Sequence, residues 1–164
     1  MITLYNSISQ DGFIAREDGS EDFIPDEVWS EYLNLCKKYD VVVNSRKAYE
    51  AIQNYPTEAV KEYDNLKVKK LVITKNKDYI VKPPYNVIHS IKKIVTFGKN
   101  ILISSGSEFN DVILREKIVN KVILNIIPVK IGSGIKAFIN EPHLKLISEK
   151  KIKNGGKWIE YNVI

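Results

Sequence analysis

The chain is poor in the residues that would make it a disulfide scaffold, a metal protein or a membrane protein. Its only cysteine, Cys36, lies in a helical pattern beside Leu33 and Leu35, so no disulfide framework is available and a reducing compartment is expected. The two histidines, His89 and His143, stand far apart in loop contexts, so no metal or triad spacing exists and no metal is expected. No stretch approaches the roughly 18 apolar residues of a membrane-spanning helix. A cytoplasmic location without membrane partners follows as the expectation. Lysine and arginine number 25 against 20 acidic residues, a net charge of +5. The excess is spread out, without the dense basic stripe interleaved with aromatics that marks nucleic-acid binders, and no nucleic-acid partner is expected. Anionic small molecules suit the balance better.

What is present is a chain of 164 residues, 44% hydrophobic and 27% charged, in the range of ordinary globular proteins. Its length fits one domain spanning residues 1–164. The stretch from Asn100 to Val112 organises the rest. Ile101, Leu102 and Ile103 form an unbroken apolar run, as in a strand covered on both faces, and the small residues Ser104, Ser105, Gly106 and Ser107 follow directly. Phe109, Val112, Ile113 and Leu114 then make a helical stripe, with Glu108 and Asp111 in the first turn. A strand, a turn of small residues and a helix N-terminus together make a phosphate site; an ordinary βα turn is the alternative reading.

The same arrangement occurs earlier. Val41-Val42-Val43 reads as a buried strand, and Asn44-Ser45 caps a helix, Arg46 to Asn54, that opens on two cations, Arg46 and Lys47. Ile2 to Ile8 is a first strand that delivers Asn6 and Ser7 to its carboxyl end, followed by a turn at Ser9 to Gly12 and a short return, Phe13-Ile14-Ala15. Arg16 to Asp22 is a polar loop able to lie over a ligand. Pro25 opens a helix with Asp26 and Glu27 in its first turn and Val28, Tyr32, Leu35 and Cys36 on its inner stripe.

Beyond these, a short helix falls within Tyr55 to Lys70, a buried strand at Leu71 to Ile73 ends on Thr74 and Lys75, and Val87-Ile88 is a brief strand. Ser90 caps a short helix through Thr96, a helix runs on to Lys117, and a long strand spans Val119 to Ile127. Lys145 to Ile152 and Trp158 to Val163 pair around the turn Asn154-Gly155-Gly156-Lys157. The pattern predicts a three-layer αβα sandwich around a mostly parallel sheet of about eight strands, ending in an antiparallel hairpin.

Taken together, the turns resemble the dihydrofolate reductase superfamily, in particular the reductase domain of bacterial riboflavin biosynthesis. Ser9-Gln10-Asp11-Gly12-Phe13-Ile14-Ala15 resembles that family's signature after the first strand, Val43 to Glu50 its Gly-Arg-Lys-Thr-Tyr-Glu turn, and Pro128 to Gly134 followed by Phe138 its late glycine motif. The resemblance implies an NADPH-dependent oxidoreductase acting on a pyrimidine-like or pterin-like heterocycle, and a homodimer formed through the late strands. It places the cofactor's ribose and phosphates on Ser45, Arg46, Lys47, Ala48, Thr74, Lys75, Ser104, Ser105, Gly106, Ser107, Glu108 and Phe109. The nicotinamide then lies beside Asn6, Ser7 and Ile14.

It also offers Asp26 and Glu27 as carboxylates of the first helix, with helix capping as their alternative role, and Asn125 at a family threonine that orients substrate. Phe13, Trp29 and Tyr32 suggest an aromatic wall for a flat ring. Three positions depart from the family: Ser45 replaces a glycine, Ala48 a threonine, and Ser104-Ser105 a glycine pair. These departures motivate the competing expectation of a protein that has lost cofactor binding and serves as a nucleotide sensor or interaction module.

Overall fold

The structure is a computed structural model that describes residues 1–153 and 155–164. Its β-branched and aliphatic runs form a sheet because each strand has a place to bury both faces. In β1 (Ile2–Ser9), β3 (Val41–Ser45), β4 (Lys69–Ile73) and β6 (Ile101–Ser104) nearly every residue is buried. Alternate side chains feed two separate cores: Val41, Val43, Ile101 and Ile103 enter one, and Val42 and Leu102 the other.

The eight strands run in the order β5-β4-β3-β6-β1-β7-β10-β9, where β5 is Tyr85–Ile88, β7 is Lys121–Ile127, β9 is Leu144–Lys151 and β10 is Lys157–Val163. Strands β5 through β7 are mutually parallel, and β10 runs antiparallel to both β7 and β9. The strand that leads into the organising turn, β6, therefore sits at the middle of the sheet, between β3 and β1. Helices α1 (Asp26–Cys36), α2 (Arg46–Gln53) and α3 (Thr57–Asp64) supply the core on one face, through Tyr32, Leu35, Cys36, Tyr49, Ile52 and Tyr63. On the other face α4 (Ser107–Arg115) contributes Ile113, and a 3-10 segment, Ile91–Thr96, contributes Ile94. This is the dihydrofolate reductase-like sandwich that the sequence predicts.

Several boundaries differ for local reasons. The helix expected to reach Lys117 stops at Arg115, because Lys117 takes a left-handed conformation, φ 54°, that turns the chain out. Ser90 precedes a 3-10 segment whose amides bond three residues back, and its hydroxyl caps nothing. A pair of short strands, β2 (Phe13–Ala15) and β8 (Ile135–Lys136), forms its own sheet beside β1. The hairpin turn expected at Asn154 includes a residue outside those described; around it, the Ile152 amide donates to the Gly156 carbonyl at 3.0 Å.

Lys70 is 1% exposed and donates to the Asp64, Leu66 and Val68 carbonyls at 3.2, 2.6 and 3.3 Å. Its ammonium thus occupies the carboxyl end of α3, where backbone acceptors and the helix dipole offset its desolvation.

Candidate functional site

The carboxyl ends of β1, β3, β4, β5 and β6 open on one rim of the sheet, and there they border a cavity of about 1420 Å³. Open α/β sheets bind ligands at such a rim. From β1 come Asn6 and Ser7, from β3 Asn44 and Ser45, from β4 Ile73 and then Thr74 and Lys75, from β5 His89, and from β6 Ser104 and Ser105. Every residue that the sequence assigns to the cofactor lines this cavity: Arg46, Lys47 and Ala48 continue from Ser45, Gly106, Ser107, Glu108 and Phe109 from Ser105, and Ile14 joins from β2.

The two small-residue turns are tied together at its floor. The Ser105 hydroxyl donates to Ser45 Oγ at 2.6 Å, and Ser45 Oγ also accepts from the Ala48 amide at 3.3 Å as the cap of α2. Beneath them, Asn44 Nδ2 donates to the Ser104 carbonyl and Asn6 Nδ2 to the Ser105 carbonyl, each at 2.8 Å. Asn44 is held in turn by the Tyr63 hydroxyl at 2.9 Å, and Asn6 by Asn110 Nδ2 at 2.8 Å. Four buried amides and hydroxyls therefore fix turns that would otherwise be free to fluctuate. The Ser104 and Ser105 carbonyls point into this network, which leaves the amides at the start of α4 for a ligand.

Gly106 precedes α4 with an ordinary φ of −82° and offers no side chain to its first-turn amides. A Cβ added there would meet no atom within 4 Å. The backbone does not need glycine at this position; the space in front of it is part of the cavity. The serines at 45 and 105 bond to each other, so the residues present leave a cradle that a phosphate fits.

Cations stand around this end, and two are already engaged. Arg46 Nη1 lies 3.0 Å from Glu50 on the same helix, and Lys47 Nζ lies 2.9 Å from Glu108, so the latter pair joins the first turns of α2 and α4. Lys75, Lys92 and His89 line the cavity with no carboxylate partner among the described residues. His89 Nδ1 is 2.9 Å from the Thr74 carbonyl.

The opposite end is aromatic and acidic. Trp29 and Tyr32 of α1 line it together with Tyr5 and Tyr55. Tyr5 and Tyr32 stack at 5.4 Å, and Tyr55 meets the Trp29 ring edge-on at 5.3 Å. Tyr5 is buried, which pushes its hydroxyl up to about 12, and it shares a 2.9 Å hydrogen bond with Ser7. Glu21 is half-buried, its carboxylate takes a hydrogen bond from the Tyr55 hydroxyl, and burial raises its pKa above the ordinary range. The Trp29 indole N–H is buried without an acceptor among the described residues.

Of the remaining expected residues, Asp26 lines the cavity and is exposed, whereas Glu27, Asn125 and Phe13 do not line it. Glu27 faces solvent one helical step away. Phe13 is drawn into the β2–β8 pair, opposite Lys136. Asn125 is fully buried on β7 and donates to Glu31 Oε2 at 2.8 Å, with its own Oδ1 unmatched among the described residues.

Sequence reasoning overlooked Glu21, Tyr5, Tyr55, His89, Lys92 and Glu31. Glu31 was findable: it lies three residues after Val28 and four before Leu35, on the flank of the inner stripe.

A latch closes the near side. Asp11 accepts from the Ile131 and Gly132 amides at 3.2 and 2.8 Å and from the Ser9 hydroxyl at 2.7 Å, and these bonds lower its carboxyl to about 2. The first-strand turn is thereby fastened to the late glycine turn. Gly134 then runs so close to β2 that a Cβ would collide with the Ala15 carbonyl oxygen.

No family model matches the chain. The uncharacterized protein YwjB of Bacillus subtilis (strain 168) is 30% identical over 165 aligned positions, covering 90% of each chain. Among solved structures, a riboflavin biosynthesis protein from Shewanella sp. PV-4 superimposes with a TM-score of 0.80 at 15% identity, over 99% of this chain and 98% of its own. A diaminohydroxyphosphoribosylaminopyrimidine deaminase/5-amino-6-(5-phosphoribosylamino)uracil reductase from Thermotoga maritima gives 0.74 at 12% identity, over all of this chain and 56% of its own, so this chain spans little more than half of that protein. Dihydrofolate reductase from Enterococcus faecalis, complexed with NADP(H), gives 0.71 at 13% identity, over 99% and 96%.

Proposed function

The chain belongs to one family with YwjB of Bacillus subtilis and has the dihydrofolate reductase-like fold, and on that premise we propose that it is an NADPH-dependent reductase of a small heterocycle. The observation that carries this reading is the gathering of two helix N-termini and five strand ends at one rim, around a cavity large enough for a dinucleotide and a second ring.

NADPH, when bound, supplies the hydride, so the chain has only to place two rings and deliver one proton. The first-turn amides of α4 and the open face of Gly106 take the diphosphate, with Lys47 beside them. Arg46, Lys75 and Lys92 provide the positive charge that a 2′-phosphate requires. The nicotinamide lies against Asn6, Ser7 and Ile14, and the heterocycle between it and Trp29. Of the two expected carboxylates of the first helix only Asp26 lines the cavity, and it passes the proton from solvent. Glu31 and Asn125 stand behind Ser7 and hold β7 against α1.

Titration of the purified chain with NADPH tests this reading: quenching of tryptophan emission and a raised melting temperature are expected, and no response at millimolar cofactor ends it. The nucleotide-sensor alternative uses the same groove and draws on the engaged cations Arg46 and Lys47; substrate-dependent oxidation of NADPH excludes it. The exposed Leu146 and Ile147 on the edge strand β9 support a homodimer through the late strands, which sedimentation as a monomer at micromolar concentration removes.

A further inference from the structure

The core under α1, α2 and α3 is furnished with one kind of ring. Seven of the nine tyrosines and both tryptophans touch one another there in an unbroken network, and none of the five phenylalanines belongs to it among the described residues. Phe97, Phe109 and Phe138 pack in the other core. Ring volume alone is supplied by phenylalanine, whereas each buried phenol brings a hydroxyl that costs free energy unless it is partnered. What tyrosine and tryptophan share, and phenylalanine lacks, is ease of one-electron oxidation.

The network has a direction. At the cavity wall Trp29 meets Tyr55, Tyr32 and Tyr63 at 5.3, 5.6 and 5.9 Å, and Tyr5, which carries Trp158 at 5.7 Å, stacks on Tyr32. From Tyr63 the contacts lead away: Tyr85 at 6.2 Å, then Tyr49 at 4.8 Å, then Tyr79 at 6.4 Å, none of which lines the cavity. Tyr79 ends the line half-buried, in the segment after β4. The hydroxyls supply bases along the way. Tyr85 donates to Asp64 Oδ1 at 2.8 Å and Tyr79 to Glu50 Oε1 at 2.9 Å. A phenol that loses an electron becomes a strong acid, and a carboxylate within hydrogen-bond reach takes its proton in place. Arg46 stands 5.9 Å from the Tyr79 ring and disfavours a cation radical there, which makes that transfer to Glu50 necessary. Tyr63 donates to the Asn44 amide oxygen, a poor base, so it passes the charge on rather than holding it. The Trp29 N–H has no acceptor among the described residues, so the oxidised indole keeps its proton and remains able to oxidise its neighbours.

We propose that these rings form a relay that conducts one-electron oxidising equivalents from the cavity wall to the surface, with Trp29 as the inlet and Tyr79 as the outlet. The oxidant is of the peroxyl-radical class, formed when oxygen adds to a carbon-centred radical. It takes one electron from Trp29 and one proton from solvent and becomes a hydroperoxide. Electrons move from ring to ring toward Trp29 until Tyr79 is left as a neutral phenoxyl radical with its proton on Glu50. A thiol at the surface returns a hydrogen atom to the Tyr79 oxygen, and Glu50 releases its proton to solvent. The sum is one peroxyl radical and one thiol converted into one hydroperoxide and one thiyl radical, with the cavity wall unchanged. The relay stands whichever cofactor the cavity takes.

Pulse radiolysis of the full chain with azide radicals, which oxidise indoles selectively, tests this. The indole radical should decay with a matching rise of phenoxyl absorbance, at a first-order rate independent of protein concentration. In Trp29→Phe the remaining indole, Trp158, has Tyr5 as its sole ring neighbour among the described residues, and adding Tyr5→Phe should slow the transfer at least tenfold. In Trp158→Phe, where the charge starts on Trp29, a nitroso spin trap located by peptide mass spectrometry should label Tyr79. Adding Tyr85→Phe, which removes a bridging ring, should cut that label at least fivefold. A rate proportional to protein concentration, the absence of a phenoxyl signal, or a label confined to Tyr5 or Tyr55 overturns the proposal; so does an effect below twofold from Tyr5→Phe or Tyr85→Phe. The kinetics and the labelled residue in the unaltered chain decide the question even if a variant does not fold.

Discussion

The Lys47–Glu108 pair yields the sharpest test of the phosphate site. Its two side chains are 67% and 71% exposed, so the ion pair contributes under about 1 kcal/mol to stability. Its importance lies in what it places at the groove: a carboxylate on the first turn of α4, where a diphosphate would come to rest. At a separation of about 6 Å in water, each pair of unit charges interacts with about 0.7 kcal/mol, so Glu108 opposes a doubly charged diphosphate by about 1.4 kcal/mol. Glu108→Gln should therefore tighten NADPH about tenfold at low ionic strength. At physiological salt, where the Debye length is about 8 Å, the gain should shrink to about threefold.

Lys47→Ala removes attraction instead and should weaken NADPH by a similar factor. Opposite signs from the two halves of one contact are the diagnostic, since a merely structural pair would produce losses on both sides. Fluorescence titrations at about 20 and about 150 mM salt measure both effects across the relevant change in screening. Equal weakening by the two substitutions, or a Glu108→Gln effect independent of salt, would refute the placement of the diphosphate.

Two glycines should respond oppositely to enlargement. Gly106→Val leaves the melting temperature within a few degrees, because its Cβ meets no atom within 4 Å, and it raises the NADPH dissociation constant at least tenfold; unchanged affinity would place the ligand elsewhere. Gly134→Ala should cost on the order of 2–4 kcal/mol in urea unfolding, because its backbone lies at a φ of 157° pressed against Ala15, and a loss under about 1 kcal/mol would contradict that geometry. The depressed Asp11 carboxyl makes the latch pH-dependent in a definite direction: its contribution is complete above the ordinary aspartate pKa of about 4 and is lost as pH falls toward 2. Asp11→Asn should flatten that part of the acid-unfolding profile, and superimposable profiles would show that the bonds to Ile131 and Gly132 do not stabilise the fold.

The parallel core was legible because burial on both faces leaves no polar alternation to interpret: Val41 to Val43, Leu71 to Ile73 and Ile101 to Ile103 can hardly lie anywhere but inside a sheet. The turns after them were legible because small residues followed by helix starts have few other uses. What escaped were residues whose role depends on another segment. Glu21 sits in a polar loop with nothing local to distinguish it from Asp18 or Asp22; it is set apart by Tyr55, which lies 34 residues away in sequence. Lys70 looks like the solvent-facing edge of a strand, yet the end of α3 and the segment after it lie over it and supply three carbonyls. The choice among first-helix carboxylates turned on helical phase, which the Val28, Tyr32 and Leu35 stripe fixes but first-turn position does not. Phe13 was read as part of a wall because its partner strand, only two residues long, has no signal of its own.

The hydrogen bond between the Ser105 and Ser45 hydroxyls has a kinetic corollary. Two loops that are sutured before any guest arrives owe it no ordering entropy, so encounter should proceed at a rate set by diffusion and charge rather than by loop rearrangement. The two serines thus trade backbone freedom for readiness.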